Sequence, residues 1–260
     1  MSALPRFWSS AVDKLAQLGA LVLLFVDILK TIVTHRPRWA DTINQIYKIG
    51  WQSQAVVMIT GAFTGMVFAV QTAQQFHKVK MDTAVGPVVS VAMTRELAPV
   101  LTALMVAGRV GAAIAAELGT MKVTEQLDAL RSMGTAPVDY LAVPRFLALL
   151  LALPLLTAEA MALGIFSGYL VGVHMMGIDG AYFLNNMYKF TGAKDVISGL
   201  IKSVFFAVFI ALISCHKGFT AGEGAEGVGR ATTQAVVVSS LTILIANFFI
   251  AVVFNAVITP

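Results

Sequence analysis

Charge is what this sequence has least of. Of its 260 residues, 12% are Asp, Glu, Lys or Arg and 58% are hydrophobic. A soluble domain carries about 25% charged residues. With a mean hydropathy of +0.81, the shortage excludes an ordinary soluble domain and indicates an integral membrane protein. The single cysteine, Cys215, excludes an intrachain disulfide and a CxxC metal site. His35, His77, His174 and His216 are scattered and read as loop residues. No HExxH occurs, so neither a metal centre nor a cofactor is implied. No Pro/Ser-rich linker or charge run divides the chain, and residues 1–260 are read as a single membrane domain. No cleavable leader is expected, because Asp13 and Lys14 interrupt the N-terminal apolar residues early. The net charge of +4 is the mark of Lys and Arg held on one side of a membrane. No nucleic-acid partner is expected.

Crossing a bilayer takes about 20 mostly apolar residues in a helix. Five stretches qualify, roughly 53–72, 86–110, 145–173, 196–215 and 235–257. Residues 4–33 differ. Ala11, Leu15, Leu18, Val22, Phe25, Leu29 and Ile32 recur at helical spacing, but the uninterrupted apolar core, Leu18 to Val26, is too short to span. We read residues 1–40 as an interfacial N-terminal helix rather than a sixth span. With the N-terminus cytoplasmic, Arg6, Lys14, Lys30, Arg36, Arg38, Lys48, Lys122, Arg131, Arg145, Lys217 and Arg230 fall inside; only Lys78, Lys80, Lys189 and Lys194 fall outside. That asymmetry sets the orientation, and an odd number of crossings puts the C-terminus outside.

The segment 117–135 is polar although it lies between two apolar runs. Wound as one helix over 120–134, it stacks Val123, Leu127 and Leu130 on one face and Glu125, Asp128 and Ser132 on the other, with Gly134 and Pro137 as a stop. Such a helix either merely connects two spans or docks on a partner. Gly224 and Gly229 have the spacing of a phosphate loop, but Arg230 and Ala231 stand where that motif needs Lys and Ser/Thr. The stretch 218–233 is therefore read as a flexible cytoplasmic loop without nucleotide.

Charges within the spans need a reason, since each costs about 2.5–3.5 kcal/mol at mid-bilayer on insertion scales. Arg95 and Glu96 sit in the second span, Lys202 in the fourth, Glu159 in the third and Arg109 near the inner end of the second. For Arg95–Glu96 the choices are a structural ion pair and a polar lip on a lipid pocket. For Lys202 they are snorkelling and facing a cavity; Arg109 reads as snorkelling, and Glu159 receives no role. Gly61 and Gly65 form GxxxG, either a packing seam within the chain or a dimer seam. Phe68, Phe76 and Leu97 either line the outer half of an apolar cavity or pack ordinarily. Pro87, Pro99 and Pro154 are candidates to break spans.

The run AGRVGAAIAAELGTMKVTEQLDALRSMG, the upstream MTRELAPVLTALMVAGRVG, and the downstream IKSVFFAVFIALIS and GVGRATTQAVVVSS together resemble the MlaE (YrbE) permease family, over about residues 40–257. The resemblance implies the membrane subunit of an ABC transporter that moves phospholipids to or from MCE-domain proteins and maintains outer-membrane lipid asymmetry. The implied fold is all-α: five transmembrane helices, an N-terminal interfacial amphipathic helix and a cytoplasmic coupling helix at 117–135. Implied contacts with a cytoplasmic ABC ATPase are Glu117, Gly119, Glu125, Gln126 and Asp128, with Glu117 and Gly119 shaping the bend. The implied substrate residues are Arg95, Glu96 and Lys202, with Leu97, Phe68 and Phe76 against the lipid tails. A homodimer in the bacterial inner membrane is implied, with its C-terminus periplasmic. A periplasmic MCE ring would contact the short outer loops 73–84 and 174–195. The competing class is an ion- or proton-coupled secondary transporter using Glu96 and Glu159. An intramembrane enzyme is disfavoured, because no intramembrane Asp pair occurs.

Overall fold

The computed structural model describes residues 3–34 and 38–258, and among these no strand occurs. Eleven α-helices form: α1 (Ala3–Thr34), α2 (Trp39–Ile46), α3 (Gln52–Lys78), α4 (Val85–Ala92), α5 (Ala98–Val106), α6 (Ala112–Val123), α7 (Gln126–Ser132), α8 (Val143–His174), α9 (Gly180–Phe190), α10 (Ala193–Phe219) and α11 (Gly224–Ile258). Short π-helical turns fuse several of them, at Tyr47–Trp51, Met93–Leu97, Ala107–Gly111 and Val138–Ala142. The fused rods give five helices long and apolar enough to cross a membrane: Trp39–Lys78, Asp82–Val123, Val138–His174, Ala193–Phe219 and Gly224–Phe254. The first four each contain one of the apolar stretches and outrun it at both ends, and the fifth starts eleven residues before its stretch and covers it to Phe254.

Helix α8 is the central element, packing on α3, α5 and α10. Its closest neighbour is α3, and the GxxxG pair explains why. Gly61 faces Ala160, and Gly65 lies flat on Gly164. With no side chains between them the two backbones meet directly, and Ser167 donates across the seam to the Ala62 carbonyl at 2.7 Å. GxxxG is thus a seam within this chain. Gly199 does the same for α10, resting on the carbonyl of Thr94. Helix α11 is covered least: Leu241, Leu244, Ile245, Phe248, Phe249, Val252 and Val253 are exposed, as lipid-facing side chains are.

The prolines do not break the spans. Pro99 enters at the start of α5, directly after a π turn, and Pro154 is carried inside α8. A proline leaves the carbonyl four residues back without its donor. For Pro87 that carbonyl is Thr83's, which accepts instead from Asn186 Nδ2 at 3.0 Å. For Pro99 it is Arg95's, with consequences given below.

Several sequence expectations are corrected. Residues 120–134 are not one helix: α6 runs to Val123, Glu125 turns the chain in a left-handed conformation (φ 59°), and α7 begins at Gln126. The stretch from Gly224 is not a loop but the first turns of α11. The outer connection 174–195 holds a helix of its own, α9, capped by Asp179 and anchored by buried Phe183. His77, His174 and His216 lie in helices, and His216 is buried; His35 and Arg36 fall outside the described residues. Among the described side chains of α1, Leu24 and Ile28 are buried, with Phe25 and Ile32 packed beside them, while Leu18, Val22 and Leu29 are exposed. The segment is apolar almost all round there, so helical spacing alone could not fix its rotation. The side chains of Arg6, Ala11, Lys14 and Leu15 lie outside the described residues.

A Cβ on Gly65 would overlap the Gly164 backbone, and one on Gly199 the Thr94 carbonyl, whereas one on Gly108 meets nothing within 4 Å. Gly65→Ala and Gly199→Ala should each cost about 1–3 kcal/mol as overpacking. Gly108→Ala should be neutral or slightly stabilising. Thermal unfolding of the three variants in one detergent checks the ranking.

Candidate functional site

Two polar clusters interrupt the apolar bundle. The first forms around the π turn Met93–Leu97, and its cause is Pro99. The Arg95 carbonyl, denied a proline N–H, accepts from Lys202 Nζ at 2.9 Å. The same ammonium pairs with Glu96 Oε1 at 2.7 Å, and Glu96 Oε2 accepts from Asn247 Nδ2 of α11 at 3.0 Å. Arg95 turns the other way, its Nε and Nη2 both on Asp195 Oδ1 at 2.6 and 2.5 Å. The second oxygen of Asp195 accepts from the Gly192 N–H at 2.8 Å, closing the first turn of α10. Adjacent helical residues point about 100° apart, and here each has its own counter-ion: two cations, two anions, no surplus.

Exposure divides the four. The side chain of Lys202 is 2% exposed and that of Asp195 7%, against 33% for Arg95 and 43% for Glu96. Lys202 therefore does not present its ammonium to a ligand; Glu96 and the Arg95 carbonyl take it up. Arg95 and Glu96 form the open face, and Asp195 and Lys202 hold them from behind. Leu97 lies beside this face, half-buried, and Phe68 and Phe76 are likewise half-buried against the core. The carbonyl oxygen of the Asn247 amide is buried without a hydrogen-bond partner.

The second cluster sits at the α6–α7 corner. Glu117 pairs with Arg145 Nη2 at 2.8 Å, and Arg145, buried at the start of α8, also donates to the Leu141 carbonyl at 2.8 Å. Gly119 is buried against Ala221 and Val228. Lys122 Nζ donates to the Ala221 carbonyl at 2.7 Å. These bonds tie the end of α6 to α8 and to the α10–α11 connection. Beyond them the chain turns outward. Glu125, Gln126 and Asp128 are exposed, Asp128 pairs among the described residues only with Arg131, at 2.8 Å, and Leu127 is the buried side chain of α7 below them. The ATPase-contact set thus splits into an inner pair, Glu117 and Gly119, and an outer trio on α7.

Comparison with known proteins names this arrangement. Residues 42–253 match the family Permease MlaE. The chain belongs to the MlaE permease family. It is 46% identical over 227 residues to a probable ABC transporter permease protein of Synechocystis sp., covering 87% of this chain and 85% of that one. A probable ABC transporter permease protein of Rickettsia typhi is 42% identical over 238 residues, covering 91% and 92%. The Arabidopsis thaliana protein trigalactosyldiacylglycerol 1, chloroplastic, is 40% identical over 222 residues, covering 85% of this chain and 63% of its own. The chain is therefore an ABC transporter permease, a multi-pass membrane subunit.

Three polar residues of this permease escaped the sequence reading. Asp195 was legible only as the N3 partner of Gly192, a capping pattern that says nothing of Arg95. Asn247 is a lone amide in an apolar helix, a weak signal by itself. Arg145 was counted only among the inside cations at the start of the third span, yet it is buried. Arg109 donates to Ser53 Oγ at 2.8 Å and Gln54 to Glu159 at 3.0 Å, so both membrane charges have intrachain partners.

Lys202→Met should destabilise by about 1–3 kcal/mol, less than the 3–5 kcal/mol of a fully buried pair, because Glu96 is part-exposed. Glu96→Gln should also destabilise. The double variant should lose less than the sum, a coupling of about 1 kcal/mol or more, read from thermal unfolding in detergent.

Proposed function

We propose that this permease moves phospholipid between a bacterial inner membrane and an MCE-protein ring on the periplasmic side, as a homodimer driven by separate cytoplasmic ABC ATPases, serving outer-membrane lipid asymmetry. The observation that carries the reading is the Arg95–Glu96 pair. It is a part-open, fully counter-charged polar face set in an apolar span and braced from behind by buried Asp195 and Lys202. A planar guanidinium suits a phosphate oxygen pair, and lipid tails would lie along Leu97, Phe68 and Phe76. The name of the Arabidopsis relative is that of a galactolipid, which supports a diacylglycerol-based lipid and leaves the phosphate to rest on Arg95.

On this reading α7 is the coupling element, within segment 117–135. The ATPases engage the exposed Glu125, Gln126 and Asp128, while Glu117 and Gly119 make the corner stiff enough to pass movement to the spans. The N-terminus is cytoplasmic. Helix α1 lies in that interface, packing by Phe25 on Phe146 (ring centroids 6.2 Å apart) near the start of α8. The C-terminus and α9 are periplasmic, and residues 1–260 act as one membrane domain. A homodimer supplies the second half of a lipid-sized path, with isologous contacts.

Tagged permease purified from membranes should bring with it a nucleotide-binding subunit and phospholipid. Glu125→Lys should abolish lipid transport and weaken ATPase association about tenfold or more, on the order of 1.4 kcal/mol, with insertion and dimer intact. Unchanged association and activity would remove Glu125 from the contact. Arg95→Ala alone strands the Asp195 carboxylate, so the informative variant is Arg95→Ala with Asp195→Asn. It should fold and carry less phospholipid; equal recovery would return Arg95 to a purely structural role.

A further inference from the structure

A cavity with a mixed polar and apolar lining lies between the first and second spans, at the end of the bundle that carries the α6–α7 corner. It measures about 140 Å³, and its polar lining is Gln45, Lys48, Gln52, Arg109 and Glu117. Both cations come from π turns, Lys48 from Tyr47–Trp51 and Arg109 from Ala107–Gly111. A π turn adds a residue to the helix, and such turns gather at functional sites. Here two of them, on different spans, direct positive charge to one place.

The charges there are not spent. Among the described residues neither Lys48 nor Arg109 has a carboxylate within ion-pair distance. The bond from Arg109 Nη1 to buried Ser53 orients the guanidinium and leaves other N–H groups to donate. The carboxylate on the rim, Glu117, already has Oε2 on Arg145 at 2.8 Å, so its charge is compensated from outside the cavity. Net positive charge with flanking amide donors selects an anion, and the fork of arginine selects a phosphate or carboxylate.

Aromatic residues fix the depth. Trp39, Tyr47 and Trp51 are exposed at this end. Tyr47 and Trp51 stack with centroids 6.5 Å apart and planes within 8°, and the Arg38 guanidinium lies 4.5 Å from the Tyr140 ring centroid. Exposed Trp and Tyr of membrane proteins collect at headgroup level. Lys48 follows Tyr47 in the chain, so the cavity opens where lipid phosphates lie. Basic pockets between spans at that level hold anionic headgroups. Arg109 is fourteen residues along the second span from Arg95, about 21 Å at 1.5 Å per residue, so this is a different place from the first cluster.

We propose that this cavity binds the phosphate of an anionic phospholipid in the leaflet at the α7 end. This second lipid site is held by Lys48 and Arg109, beside the Glu117–Arg145 pair that sets the corner. The inference rests on the membrane reading, not on the energy source or direction of transport.

The test uses the purified complex with Trp51 as its only tryptophan in this chain (Trp8→Phe, Trp39→Phe), reconstituted in phosphatidylcholine bilayers. Tail-brominated phosphatidylglycerol should quench Trp51 at a mole fraction about five- to thirty-fold lower than tail-brominated phosphatidylcholine, on the order of 1–2 kcal/mol for two cations. The preference should vanish in Lys48→Gln/Arg109→Gln. It should persist in Lys48→Arg/Arg109→Lys, which keeps the charges, and in Arg95→Ala/Asp195→Asn, which leaves the cavity alone. Equal quenching by the two lipids, or a preference surviving the glutamine pair, overturns the site. Equal quenching by the two lipids together with saturable binding of inorganic phosphate that is lost in the glutamine pair would assign the cavity to free phosphate and overturn the lipid. Failure of ATPase coupling or of transport would leave these quenching results unchanged, so the two readings fail separately.

Discussion

A bilayer supplies no water to meet a freed backbone group, and this structure depends on that constraint at the carbonyl of Arg95. Pro99 cannot donate to it, and an unmet carbonyl in hydrocarbon costs several kcal/mol. Lys202 meets it at 2.9 Å. A buried ammonium in turn demands a counter-ion, and Glu96 is the one within reach. Gly199, one turn before Lys202, lets α10 come close enough for the bond by resting on the carbonyl of Thr94. Each element of the first cluster thus answers a deficit created by another.

The same logic joins the two ends of the permease. The second span runs without interruption from Asp82 to Val123, from the Arg95–Glu96 face to the corner at Glu125. Helices α10 and α11 also touch both clusters: Lys202 and Asn247 at one end, and Gly218 against Leu118 and Val228 against Gly119 near the other. Between α7 and the polar face stand the Glu117–Arg145 pair and the Lys122 bond to the Ala221 carbonyl, and beyond them the rods that hold that face. On the proposed coupling role, a part-open, compensated ion pair would exchange partners at less cost than a bare buried charge.

In the second span π turns carry the charged pair Arg95–Glu96 and the cation Arg109, and in the first span a π turn carries Lys48. An added residue rotates everything beyond it relative to an α-helix. A side chain that helical spacing would send toward lipid can then face a partner or a cavity.

How much of this was legible in the sequence follows from the kind of information each feature needs. Five spans, the absence of a phosphate loop and a polar break after the second span depend on local composition and length, which residue types declare on their own. The family resemblance rested on motifs in order, which are also local. The division of labour between Lys202 and Arg95 was not legible, because exposure is set by α10 and the second span together. The pairings of Asp195 and Arg145 were missed for the same reason: each has a partner on another span, and spacing along one helix contains no record of the next. The left-handed turn at Glu125 was hidden by an amphipathic pattern that reads straight through it, and the bonds of Lys122 and Glu117 to other elements set the corner. Sequence by itself determined that this chain is a helical membrane permease and where its rods run. Only tertiary structure decided which charges stay part-open and which are buried as struts, since in a medium without water a charge is defined by its partner.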